Sequence, residues 1–134
     1  MISARFVMAD ARFLLDANIL IYVLADAAGP ATRRLEQCHW GEAVTSAIAY
    51  AEVMRGIDRA RPDQASAADR LFEIVEVQPF DGEAALAYAS LPFRRHRFDR
   101  LIAAHALSRG LTLVTNHSGD FADIPGLIVE NWSE

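Results

Sequence analysis

Phe13-Leu14-Leu15 is an apolar run only as long as a strand, and it ends on an acid, Asp16. A strand with no polar face has to lie inside a sheet that is covered on both sides. Directly after it the period changes: Ile19, Leu20, Val23 and Leu24 fall at helical spacing over 17–25. A buried strand feeding a helix is the unit from which parallel sheets are wound.

The same alternation continues along the chain. Gly29-Pro30 breaks the first helix, and Pro30 suits the first turn of a second over 31–40, which Gly41 ends. Ala43-Val44-Thr45 is a minimal strand, and Ser46 caps a helix over 47–60, in which Gly56 points to close packing. A helix over 64–73 follows Pro62-Asp63, and IVEVQPF at 74–80 alternates like a strand. Asp81 caps a helix over 82–90, and DRLIAAHALSRG is an amphipathic helix that stops at Gly110. LTLVT at 111–115 is a strand, NHSGDF a turn, and LIVENW at 127–132 an edge strand. The pattern predicts an α/β fold: a three-layer α/β/α sandwich around a mostly parallel sheet. Residues 1–11 read as a poorly specified extension, with Met8 leaving open a later start, and 12–134 as a single domain.

Composition narrows the function. The single cysteine, Cys38, excludes an internal disulfide framework, fits a cytoplasmic setting, and lacks the second thiolate of a zinc site. No apolar stretch reaches the roughly 18 residues of a membrane span. Asp10, Asp16 and Asp26 interrupt the N-terminal segment, which argues against a secretion signal. A net charge of −5 argues against a general duplex-coating protein, though clustered acids that bind cations offset part of it.

Four of the 18 acidic residues have unusual contexts. Asp16 ends the most apolar strand, where it also serves as a helix N-cap. Glu52 lies in a largely apolar helix, where a buried glutamate needs a ligand or an ion pair with Arg55 or Arg59. Asp99 opens a helix, as an N-cap or as more. Asp120 follows a strand and a turn. In open parallel sheets ligands bind at the carboxyl ends of strands, which favours Asp16 and Asp120. Secondary structure leaves open whether Asp99 points to that edge or to the opposite one.

The motifs LLDANILIY, AEVMRG, FDRLIAAHAL, LVTNHSGDF and the closing IPGLIVENW occur in one order over residues 12 to 132. In this they resemble the PIN-domain ribonucleases, and more closely the VapC toxins of bacterial toxin–antitoxin pairs. The resemblance implies a PIN-like fold whose acids fall on Asp16, Glu52, Asp99 and Asp120. It places polar helpers at Thr115 and Asn116, with Asn18 orienting the first acid. Two features depart from the family pattern. The approach to the third acid is Arg94-Arg95-His96-Arg97 rather than Gly-rich, and His117 and Gly119 differ from the commoner turn. Neither removes an acid.

The implied activity is that of an endoribonuclease, the toxin of a type II pair. It would hydrolyse RNA phosphodiesters with a water activated by one or two Mg²⁺ or Mn²⁺ ions, which hard carboxylate oxygens select. The implied partners are a VapB-type antitoxin, RNA and a second copy of the chain, in a homodimer or larger assembly, with DNA contacted only through the antitoxin. Ile21, Tyr22, Leu24 and Leu35 offer apolar surface for such contacts. The alternative is a catalytically inactive PIN-like module that binds RNA or regulates. A haloacid-dehalogenase-like phosphatase would want a second Asp where Asn18 stands, and no G-x-G-x-x-G follows the first strand. His105 reads as helix-face packing, not as a general base. Arg94, Arg95 and Arg97, around Asp99, read as RNA-phosphate contacts. Arg100 reads as a partner of Asp99.

Overall fold

A computed structural model describes residues 9–94 and 97–134. Arg95 and His96, and most of the N-terminal extension, lie outside the described residues. The elements run in the order β1 (Phe13–Leu15), α1 (Ala17–Ala25), α2 (Pro30–Glu36), β2 (Ala43–Ser46), α3 (Ala47–Gly56), α4 (Pro62–Ile74) and β3 (Glu76–Gln78). Then come α5 (Gly82–Ala89), α6 (Phe98–Arg109), β4 (Thr112–Val114), a 3-10 turn (Ser118–Phe121) and β5 (Val129–Glu130).

The strands form one sheet in the order β3-β2-β1-β4-β5, and every described pairing is parallel. Strand β1 is central, as its unbroken apolar run requires. All positions of β1 and β2 are buried, so helices cover both faces of the sheet centre in the α/β/α arrangement. Leu14, Leu15, Ile19 and Leu20 have no exposed surface. Truncating one of them to Ala costs about 2–5 kcal/mol. Near the C-terminus Trp132 closes the core, its ring edge-to-face with Phe13 at 5.0 Å. Among the described residues, no helix is long and apolar enough to cross a membrane.

Local chemistry fixes most boundaries. Asp16, Ser46 and Asp81 accept the N–H groups of Ile19, Ile48 and Ala84, capping α1, α3 and α5. Gly110 takes a left-handed conformation, φ 66°, and ends α6. Several expected boundaries were too long: α2 stops at Glu36 rather than 40, and α3 at Gly56 rather than 60. Gly56 is not there for close packing, because a Cβ added to it would meet nothing within 4 Å. The buried face of α3 is Ala49 and Val53.

Two features of this topology position the site. From β1 the chain steps outward to β2 and β3, then returns to the far side of β1 with β4 and β5. The carboxyl ends of β1 and β4 therefore flank the point where the winding reverses. Helix α6 packs on β4 and is joined to it by the turn at Gly110, where the Leu111 N–H bonds to the Ala106 carbonyl. It thus runs back along the strand it precedes, and its start lies beside the carboxyl end of β4.

Candidate active site

Asp16 leaves β1 at the switch point and is buried. Its Oδ1 accepts the Ile19 N–H at 3.0 Å, so the capping reading and the site reading hold together. Burial raises the Asp16 carboxyl above the ordinary carboxylate value. Hydrogen bonds from the Thr115 hydroxyl and the Ile19 N–H oppose that rise, and the negative charge of Asp99 adds to it. Thr115 is itself buried at the end of β4, and its Oγ1 accepts the His117 N–H at 3.1 Å.

Glu52 is exposed, which corrects its reading as a buried glutamate. It makes no ion pair with Arg55 or Arg59, and Arg59 instead lies 3.7 Å from Asp69. Its carboxyl is nonetheless pushed up, first by partial loss of hydration and then by the charges of Asp16 and Asp99. Those two causes put the three acids in one neighbourhood. Asp99 is not the N-cap of α6. That position belongs to Arg97, and Asp99 sits in the first turn, where the helix dipole favours a negative charge.

The Arg97 guanidinium joins Asp99 to Asp120. Its Nε donates to Asp99 Oδ1 at 2.9 Å, its Nη2 donates to Asp99 Oδ2, and Nη2 also reaches Asp120 Oδ2 at 3.3 Å. These carboxylates hold Arg97 more firmly in its charged form, Asp99 more than Asp120. Arg97, expected to flank the pocket, lies among the acids. Arg100 does not pair with Asp99. It is buried and forks onto Asp123, with further bonds to the carbonyls of Pro92 and Asp120. Arg94 is exposed and stands 3.6 Å from Asp123. Neither the Arg100–Asp123 pair nor the placement of Arg97 had a distinguishing signal in a run of like residues.

Asn116 organises the rim. Its Oδ1 accepts from Asn18 Nδ2 at 3.3 Å, and its Nδ2 donates to the Tyr22 hydroxyl at 3.0 Å. Tyr22 escaped the sequence reading because it looked like apolar helix surface. Leu35, assigned to that surface, is in the core, whereas Ile21 is exposed. His105 is fully buried against the Phe80 ring, consistent with packing.

The donor set suits a hard cation, being carboxylate oxygens in a region negative enough to draw in a guanidinium. Yet no three His, Cys, Asp or Glu side chains among the described residues stand close enough to hold a metal ion together. Like charges repel, and Arg97 is interposed. Beside Glu52 runs a mostly apolar cleft bounded by Ile48, Met54, Leu101 and the exposed ring of Phe98. A roomier cleft, between Trp40, Tyr50, Phe72 and Gln78, contains none of the four acids.

A parallel α/β/α domain with a buried acid, Asp16, at its switch point and an Arg97-bridged pair of acids, Asp99 and Asp120, is the class that fold and site define. A family model described as the PIN domain matches residues 13–127, and the chain belongs to the PIN-domain family. It is similar to the tRNA(fMet)-specific endonuclease VapC of Shigella flexneri, 28% identical over 131 residues, covering 91% of this chain and 98% of that protein. It is likewise 28% identical over 132 residues to Ribonuclease VapC2 of Rickettsia felis, covering 91% of this chain and 98% of that protein. Its fold matches the crystal structure of VapBC2 from Rickettsia felis bound to a DNA fragment from their promoter, with a TM-score of 0.79 and 28% identity. That match covers 90% of this chain and 98% of the other.

Proposed function

We propose that the chain is a divalent-metal-dependent endoribonuclease and the toxin of a VapBC-type pair. The observation that carries the reading is the pair Asp99 and Asp120 joined through Arg97, with the charges of Asp16 and Asp99 acting on Glu52, in a PIN domain whose buried Asp16 stands at the switch point. The names of its relatives, an endonuclease and a ribonuclease, support the RNA substrate.

Asp16, Asp99 and Asp120 would hold Mg²⁺ or Mn²⁺, with Glu52 binding directly or through water. A bound ion supplies Lewis acidity toward a phosphate oxygen and makes a bound water more acidic. The chain's own groups do the rest. Thr115 hydrogen-bonds the Asp16 carboxylate and Asn116 braces the rim. Phe98 offers a face on which a base can stack beside Glu52. Arg94, exposed beside Asp123, and Arg95, of the same run in sequence, would contact phosphates of the RNA. The solved VapBC assembly supports an antitoxin partner. Exposed Ile21, with Leu24 and Ile57, lines an apolar groove suited to an antitoxin helix or a second copy of the chain.

The test is cleavage of RNA by Asp16→Asn and Asp99→Asn in Mn²⁺ or Mg²⁺. Both variants should fold and lose more activity than the ~10–100-fold that loss of an outer-shell partner costs. Wild-type cleavage that persists in excess chelator, or full activity in either folded variant, would overturn the metal mechanism. Inactivity of the wild type on every RNA in metal would favour the inactive binding module.

A further inference from the structure

We infer that Arg97 is an internal counter-ion that a divalent cation must displace before the acids can bind it. The inference rests on the reading of the four acids as metal ligands. Arg97 donates to both carboxylate oxygens of Asp99 and to one of Asp120, so it occupies the oxygens an ion needs. A guanidinium and a metal ion compete there for the same lone pairs.

Two arginines three positions apart differ in how they are held. Arg100 is 1% exposed and fixed by Asp123 and two backbone carbonyls. The Arg97 side chain is 36% exposed, and its partners among the described residues are Asp99 and Asp120. It stands at the N-cap of α6 without making a side-chain cap bond, so the helix does not need it in place. Arg97 can therefore swing outward without breaking core packing, whereas Arg100 cannot. Without an ion, Arg97 offsets the repulsion among the acids. With an ion bound it is released at the pocket mouth, where its planar fork is free for a phosphate. Metal loading and phosphate gripping are thereby linked through one side chain.

Calorimetric titration of Mn²⁺ alone into the full chain, without RNA, tests this in the wild type, Arg97→Ala and Arg97→Lys. Arg97→Ala should bind Mn²⁺ on the order of fivefold more tightly, the scale of a partly exposed ion pair. Its metal-free Tm should fall, and its Mn²⁺-induced rise in Tm should exceed that of the wild type. Arg97→Lys keeps the charge without the fork and should lie between them. A merely structural arginine would lower Tm without raising metal affinity. Equal or weaker Mn²⁺ binding by both variants overturns the inference while leaving the metal site standing. Absence of Mn²⁺ binding in all three proteins overturns both.

Discussion

Arg100 grips Asp123 through two bonds of 2.9 Å, one from each terminal nitrogen to a separate carboxylate oxygen. The arginine is buried, while the Asp123 side chain keeps about a quarter of its surface in contact with water. The pair is therefore asymmetric. Removing the acid strands a buried cation, and removing the arginine leaves an anion that water can reach. Asp123→Asn should lower Tm by several degrees more than Arg100→Met, as thermal denaturation would show. The Arg100 hydrogen bonds hold the Asp123 carboxyl down to about 2, from an ordinary 3.8. A depressed acid contributes stability that is present above the ordinary value and is lost as pH falls toward the folded one. The acid-side loss of stability between those two values should shrink in Arg100→Met, and an unchanged acid limb would contradict the pairing.

Asp16 has the opposite sign. Its folded-state value is raised, so the folded protein holds that proton to higher pH than the unfolded chain does. Ionisation therefore weakens the metal-free fold as pH rises through the ordinary 3.8, and the loss is complete above the raised value. Asparagine caps a helix as well as aspartate does. In chelator, Asp16→Asn should melt a few degrees above the wild type at pH 7. The gap should close as pH falls below the ordinary carboxylate range. A lower Tm at pH 7 would mean that the ionised carboxylate stabilises the fold.

His105 is buried against Phe80, and neither ring nitrogen has a partner among the described residues. Burial and the nearby Arg109 depress its pKa, and Asp81 opposes them. The folded ring stays neutral where the unfolded one takes up a proton, so stability is lost as pH falls through the ordinary 6.5. His105→Leu loses an edge-to-face contact worth about 0.5–1.5 kcal/mol but also two unsatisfied nitrogens. Its Tm at pH 8 should stay within a few degrees of the wild type, and its decline between pH 8 and pH 5 should be shallower. An identical pH profile in denaturant melts would show that some other group carries that dependence.

The sequence by itself determined the elements and the chemistry available to them. A strand with no polar face must be interior, a cap residue before a helical period marks a start, and Gly110 marks a stop, because these are local effects of burial and backbone geometry. The four candidate acids were legible through motif order. Where Asp99 would sit was not. Position in the sequence left Asp99 free to sit at either edge of the sheet, until the turn at Gly110 doubled α6 back along β4 and brought its start beside Asp16. Nor could composition separate Arg97 from Arg100: two identical side chains in one basic run, one half-exposed on the acids and the other locked inside the fold on Asp123. That choice depends on which carboxylates lie within reach and on how much water remains around each, and the packed chain alone sets both.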